Sequence, residues 1–401
     1  KLDIATTQPA VLLNQGGGRF APAAAYGAPG EVFDGRLAAA DVSGDGLPDL
    51  LIEAGSEERV TVWVSQGRGT FAAPSMMADP DTVDSNAQRF LGVVDIDGKG
   101  GPEVAVAAST RLTLYALDGP GHFAEAGTYG DQGLSIDAAT LGDLDGDGGA
   151  DVVLGRDGSG TRSVAVWYNK RTAELKPGPV VKMDAIPTSL GIADIDEDGR
   201  ADIVVGSEYA FGYLAQAQAG QFTQALVRPD AFNSFGTTVV GVADLNRDRK
   251  VDLFGLFRGD VRTLMNDGMG KYPKVANLHT GNASSVVAVD LNGDGAPELV
   301  TEGGGVAVLR DLGGGAFSDP EVVATIPHTS GLVAGDFNGD GWPDIAVHAT
   351  NVALLLNDGK GHLSLDSWYA SGLGRITAGD LDADGDLDVV VGYRVLFNHC
   401  H

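Results

Sequence analysis

One nonapeptide recurs eight times along the chain, and no other feature restricts the fold so strongly. The copies are Asp41-Val-Ser-Gly-Asp-Gly-Leu-Pro-Asp49, Asp95-Ile-Asp-Gly-Lys-Gly-Gly-Pro-Glu103, Asp143-Leu-Asp-Gly-Asp-Gly-Gly-Ala-Asp151 and Asp194-Ile-Asp-Glu-Asp-Gly-Arg-Ala-Asp202. Four more follow: Asp244-Leu-Asn-Arg-Asp-Arg-Lys-Val-Asp252, Asp290-Leu-Asn-Gly-Asp-Gly-Ala-Pro-Glu298, Asp336-Phe-Asn-Gly-Asp-Gly-Trp-Pro-Asp344 and Asp380-Leu-Asp-Ala-Asp-Gly-Asp-Leu-Asp388. Their first residues lie roughly 44 to 54 residues apart, a period shared by propeller blades and two-helix solenoids.

The segments between the copies decide for strands. A short run of small apolar residues precedes each copy, as in Val239-Val-Gly-Val-Ala-Asp244 and Arg375-Ile-Thr-Ala-Gly-Asp380, and another follows, as in Asp202-Ile-Val-Val-Gly206. A third run, such as Val60-Thr-Val-Trp-Val64, Val164-Ala-Val-Trp-Tyr168 or Val352-Ala-Leu-Leu-Leu356, leads into a glycine turn such as Asn357-Asp-Gly-Lys-Gly-His362 and then a fourth. No segment sustains a helical apolar stripe, so each repeat reads as a four-stranded antiparallel propeller blade with the acidic loop between its first and second strands. The expected fold is all-β, a single propeller domain spanning residues 1–401, with eight blades favoured and seven as the alternative. At the ends, Asp3-Ile-Ala-Thr and Ala10-Val-Leu-Leu-Asn14 read as second and third strands, as do Asp388-Val-Val-Val and Arg394-Val-Leu-Phe-Asn398. One terminal hairpin is therefore surplus, and the two ends are expected to meet and close the ring, which removes exposed strand edges.

Calcium takes six to eight oxygen ligands, and a tight loop supplies them from side chains at positions 1, 3, 5 and 9 and a backbone carbonyl at position 7. Those positions are Asp41, Ser43, Asp45, Leu47 and Asp49 in the first copy, and Asp95, Asp97 and Glu103 in the second, where Lys99 stands at position 5. They are Asp143, Asp145, Asp147, Gly149 and Asp151 in the third, and Asp194, Asp196, Asp198, Arg200 and Asp202 in the fourth. The fifth offers Asp244, Asn246, Asp248, Lys250 and Asp252, with Arg249 where the other copies have glycine; the sixth offers Asp290, Asn292, Asp294, Ala296 and Glu298. The seventh offers Asp336, Asn338, Asp340, Trp342 and Asp344, and the eighth Asp380, Asp382, Asp384, Asp386 and Asp388. Taken singly, such a cluster is also an ordinary turn former. Repeated eight times, it crowds carboxylates whose mutual repulsion an uncharged turn would avoid, and the expected cofactor is Ca2+, one ion per intact loop.

The apolar-Asp-x-[Asp/Asn]-x-Asp-Gly-x-x-Asp pattern, with glycine turns such as Asn14-Gln-Gly-Gly-Gly-Arg-Phe20, resembles the FG-GAP or VCBS repeat family. That resemblance covers nearly the whole chain and implies calcium loops like those of the integrin α-subunit head. Propellers of this kind look like adhesion modules, lectins, toxin components and occasionally polysaccharide-degrading enzymes, so the fold alone does not assign an activity.

A formal net charge of -28 opposes binding to nucleic acid or anionic lipid, and no apolar run approaches the roughly 18 residues that cross a bilayer. The single cysteine, Cys400, carries no information about redox compartment, and the His399-Cys400-His401 terminus reads as a tail rather than a soft-metal site. A start at Lys1 without an apolar leader fits a mature or trimmed chain. Secretion or display at the cell surface is expected because millimolar calcium suits weak loops of this type.

Antiparallel strands turn at alternate ends, so the second-to-third and fourth-to-first connections emerge opposite the acidic loops. The residues expected to bind a ligand there are Tyr209, Phe211, Arg258, His279, His328, His348, Trp368, Tyr393 and Arg394, types that stack on sugars or bond hydroxyls and carboxylates. Carbohydrate or an extracellular protein is the expected partner of a non-enzymatic lectin-like or adhesion module. No nucleophile elbow, phosphate loop or zinc-protease spacing occurs. The enzymatic alternative is a polysaccharide lyase working on that same face, and a third reading is a structural spacer.

Overall fold

The computed structural model describes residues 10–396 apart from 12–13, 17–18, 21–23, 26–36, 48, 55–58, 68–69, 78–88, 97–101, 109, 120–121, 130–133, 159, 172–173, 208–210, 228–239, 370–375, 380–387 and 392–393. Among these, seven four-stranded sheets and one three-stranded sheet follow one another along the sequence, every one antiparallel and laid out in chain order. The chain is a β-propeller.

The unit is well seen in the sheet of Gly331–Gly335, Asp344–His348, Val352–Asn357 and Leu363–Tyr369. Its second strand is buried throughout, its fourth exposes Ser364, Leu365, Asp366 and Trp368, and Leu332 faces Val347 while Ile345 faces Leu355. The sequence follows that gradient: central strands flanked on both faces are continuous apolar runs, and the outermost strand alternates. The last residue of each acidic repeat begins a second strand, since Asp49, Glu103, Asp151, Asp202, Asp252, Glu298, Asp344 and Asp388 are all first residues of strands.

The sheets are joined into a circle by neighbouring first strands. Ser135–Gly142 lies between Arg89–Val94 and Pro187–Ala193, and Ile376–Gly379 lies beside both Gly331–Gly335 and Leu37–Ala40. The core is accordingly divided among the sheet-to-sheet interfaces. One cluster joins Leu291, Val300 and Val308 to Ile345, Val347 and Leu355 of the following sheet; another joins Leu144, Val153 and Val166 to Ile203, Val205 and Leu214.

As expected, the ends meet: Ala10–Val11 lies beside Arg394–Leu396. Ala10–Val11 pairs with Ala24–Ala25, and Asn14–Gly16 with Arg19–Phe20, across the first glycine turn. The closing sheet, Ile376–Gly379, Asp388–Val391 and Arg394–Leu396, is made of C-terminal residues. Asp3-Ile-Ala-Thr and Asn398 lie outside the described residues. No helix among the described residues is long and apolar enough to cross a membrane.

Candidate metal loops and the opposite face

Six acidic loops are described over their ligand positions, and they share one backbone form. In each, the residue at position 2 is apolar and buried: Val42, Leu144, Ile195, Leu245, Leu291 and Phe337 are at most 2% exposed. This side chain pegs the loop into the interface with the following sheet, as Leu144 does against Val164 and Ile203, and burying a Leu or Ile there contributes about 1.5–3 kcal/mol. Its own N–H donates to the position 9 carboxylate at 2.9–3.0 Å in all six. The position 6 N–H donates to the position 1 carboxylate at 2.7–3.0 Å, closing the loop.

The residues at position 7, Leu47, Gly149, Arg200, Lys250, Ala296 and Trp342, each donate N–H to the position 5 carboxylate. Trp342 also reaches the preceding loop: a Cβ on Gly293 would come within 2.5 Å of its ring, so glycine is required there on steric grounds as well as for its φ of 73°. Arg249 does not break the fifth loop. It adopts φ 67° and makes the same bond to Asp244 that the glycines make elsewhere, holding a conformation that costs a residue with a side chain about 1–2 kcal/mol.

Position 9 has a second role that spacing did not reveal. Asp49, Asp151, Asp202, Asp252 and Asp344 are completely buried. Besides the bond from position 2, each accepts an N–H from the end of the third strand, from Ser65, Asn169, Gln216, Asn266 and Asn357, at 2.7–2.8 Å. In Asp151, Asp252 and Asp344 the two bonds fall on different oxygens, which leaves each oxygen a further lone pair for a cation. Burial dominates over these bonds and pushes Asp151, Asp202 and Asp252 up to about 6 and Asp344 up to about 7; in Asp151, Asp252 and Asp344 two further loop carboxylates add to the rise, and in Asp202 Asp196 does.

Two loops meet the geometric requirement for an ion most fully. Oxygens of Asp143, Asp145 and Asp151 lie within 4.8 Å of one another, and so do those of Asp194, Asp196 and Asp202. Two oxygens held about 2.4 Å from a Ca2+ on opposite sides of it are separated by about that distance. Asp145 Oδ1, Asp194 Oδ1 and Asp196 Oδ1 are buried and accept no hydrogen bond, which is costly for an acceptor unless a cation completes it. The donor set is all oxygen, so the residues present fit a hard divalent cation. Basic side chains compete for these carboxylates: Lys170 bonds Asp145 and Asp147, Arg200 bonds Asp198, and Arg247 bonds Asp294 of the next loop. Asp97 and Lys99 of the second copy, and Asp380, Asp382, Asp384 and Asp386 of the eighth, lie outside the described residues, although Ile96 N–H still donates to Glu103 at 2.7 Å.

The opposite end of the sheets carries part of the expected ligand face. Arg258 is exposed in a two-residue turn with Gly259 (φ 56° and 82°) joining Asp252–Phe257 to Asp260–Met265. Such turns match the twist of the strands they join. His279, in the connection that follows the fourth strand, bonds Asp260 at 3.1 Å and is exposed, as is His328. His348 was expected on this face; instead it is 1% exposed and bonded to Ser330 Oγ at 2.6 Å. Its place at the end of a buried second strand turns it inward, and it is not a surface ligand. Trp368 is exposed, but in the outermost strand Leu363–Tyr369 rather than in a connection. Phe211 and Arg394 begin third strands, while Tyr209 and Tyr393 lie outside the described residues.

The FG-GAP-like repeat profile matches residues 95–154, 143–205, 194–255, 244–301 and 299–347, more than half of the chain. This chain belongs to the FG-GAP-like repeat family. Most matched segments run from one acidic loop to the next, which is the period read from the sequence. Integrin alpha-PS2 of Drosophila melanogaster is 30% identical over 193 residues, covering 44% of this chain and 12% of that protein. The chain thus spans about an eighth of that relative's length. Among solved structures, an Agrocybe aegerita lectin described as specifically recognising non-reducing terminal N-acetylglucosamine aligns with 92% of this chain and 89% of its own, with a TM-score of 0.54 and 19% identity. BBS1N, crystallised with ARL6DN, aligns with 84% of this FG-GAP repeat chain and 91% of its own, with a TM-score of 0.50 and 13% identity. At these identities the likeness is one of fold.

Proposed function

We propose that this FG-GAP repeat protein is an extracellular or cell-surface binding module, a single eight-bladed domain braced by Ca2+ in its acidic loops, that recognises carbohydrate or an extracellular protein on the opposite face. The observation that carries the calcium part is the set of buried carboxylate oxygens without protein partners, Asp145 Oδ1, Asp194 Oδ1 and Asp196 Oδ1, aimed into loops of calcium-ligand spacing. Asp143, Asp145, Asp147 and Asp151, with the carbonyl of Gly149, would hold one ion, and the corresponding residues of the other loops would hold theirs. The ion supplies charge neutralisation and a fixed loop shape, not chemistry.

The binding part is supported by the family, by the integrin relative and by the fold likeness to a lectin. Arg258, His279 and His328 are the exposed donors best placed to serve it. A glycan array probed in millimolar calcium, with terminal N-acetylglucosamine among its sugars, tests this reading. Binding to a defined sugar class that Arg258→Ala weakens at least tenfold, with calcium content unchanged, is the expected result. Failure to bind any sugar would leave an extracellular protein as the partner class, and binding that survives Arg258→Ala but is lost with the metal would move the ligand site to the acidic loops.

A further inference from the structure

At the end of four third strands stands a buried carboxamide that does the same three things each time. Asn169, Gln216, Asn266 and Asn357 are at most 3% exposed. Each gives its backbone N–H to the ninth carboxylate of its own loop, as Asn266 does to Asp252 at 2.7 Å. Each uses its side-chain oxygen to accept an N–H from its glycine turn: Arg171, Gly220, Gly268 and Gly359 are the donors. Each sends its side-chain NH2 to a carbonyl at the start of the acidic loop in the preceding blade. Asn169 reaches Asp95 at 3.2 Å, Gln216 reaches Leu144 at 2.8 Å, Asn266 reaches Ile195, and Asn357 reaches Leu291 at 2.7 Å. Gln216, Asn266 and Asn357 also bond the carbonyl at position 8 of their own loops, Ala201, Val251 and Pro343.

Between the second and the seventh loops the chain of these bonds is broken at one place. In the blade of the sixth loop the position is taken by Asp311, whose carboxylate accepts the Gly313 N–H as the carboxamide oxygens do but has no NH2 to give to the preceding blade. Between the fifth and sixth loops the connection is instead Arg247, whose guanidinium bonds both Asp311 and Asp294, a carboxylate at a ligand position.

We infer that Asn169, Gln216, Asn266 and Asn357 are positioning residues that couple the metal occupancy of adjacent loops, dividing them into one cooperative series from 95–103 to 244–252 and a second pair of 290–298 with 336–344. The inference rests on the calcium reading above. An ion drawn to Asp252 fixes the carboxylate that holds Asn266, and Asn266 in turn fixes the carbonyl of Ile195, whose own N–H positions Asp202. A loop whose neighbour is already ordered therefore loses less conformational freedom on binding, which is positive coupling with no change of shape, and reciprocal. Across the break the sign reverses: an ion in loop 290–298 must take Asp294 from Arg247.

The test is amide hydrogen exchange on the full chain during a calcium titration, with total bound calcium measured in parallel. Asp248→Asn, which weakens the fifth loop, should raise the calcium needed to half-protect residues 194–202 by about five-fold or more and leave residues 290–298 unchanged or protected earlier. Asn266→Ala should make loop 194–202 indifferent to Asp248→Asn, and Asn266→Gln, the type found at Gln216, should restore the response. Asn357→Ala, scored on loop 290–298, replaces Asn266→Ala if that variant does not fold. Bound calcium with equal spread to both neighbours, or with none, overturns the coupling alone. No bound calcium overturns the metal reading, and the coupling with it.

Discussion

At the residue scale, basic side chains and backbone strain set how each loop differs from its neighbours. Lys170 sits on the glycine turn above the third loop and bonds both Asp145 and Asp147, which raises its own pKa. An entering cation must displace that ammonium, so Lys170→Met should tighten calcium binding at loop 143–151 several-fold, read as a lower half-saturation for exchange protection of that segment. An unchanged or weaker affinity would show that Lys170 assists the site. Arg249 supplies the second case. Because it holds φ 67° where the other five described loops have glycine at φ 81–87°, Arg249→Gly should stabilise the protein by about 1 kcal/mol, measured by denaturant unfolding in calcium. The ligand types in these loops were legible from spacing alone. The carboxamides at Asn169, Gln216, Asn266 and Asn357 were not, although a signal was present in the asparagine that opens Asn357-Asp-Gly-Lys-Gly-His362. A residue before a glycine turn reads as a turn former, and nothing in a linear sequence shows that its amide spans two blades.

At the scale of the element, each acidic loop is a charged turn fastened to an apolar interface. The buried ninth residues titrate between their unfolded values near 4 and about 6 for Asp151, Asp202 and Asp252, or about 7 for Asp344. A raised folded pKa means that the native state binds the proton more tightly than the unfolded chain. The stability from this source is therefore fully present below about pH 4 and is lost as pH rises through 6 to 7. In chelator these groups should lower the melting temperature over that window. In calcium, which favours the ionised form, the loss should be reversed, so the difference between the two melting curves widens from pH 4 to pH 7. Calcium binding near pH 6 should also release protons, seen as a calorimetric enthalpy that varies with the ionisation heat of the buffer. A constant difference between the two curves would mean that the ninth carboxylates do not meet the ion.

At the scale of the whole molecule, the net charge of -28 is carried to a large extent by loops gathered at one end of the ring, where it opposes the compact state. Removing calcium should lower the melting temperature and make it rise with monovalent salt, which screens the exposed charges, whereas the calcium-loaded protein should respond to salt much less. An identical melting curve after verified metal removal would exclude a structural role for the ion. In the same ring the antiparallel strands place the acidic loops and glycine turns at one end and the Arg258 and His279 connections at the other.

From the sequence alone followed the repeat, the four-strand unit, the position of the acidic loops between first and second strands, and the meeting of the ends. These are consequences of local periodicity and turn chemistry, which are written into neighbouring residues. Tertiary structure decided what depends on residues far apart in the chain. It turned His348 inward onto Ser330, made the ninth carboxylates clamps for backbone N–H groups, and laid Trp342 against Gly293. Burial of a strand end, the partner of a carboxylate's second oxygen and the reach of a carboxamide across an interface are set by how one blade packs on the next, and that packing has no signature in any single repeat.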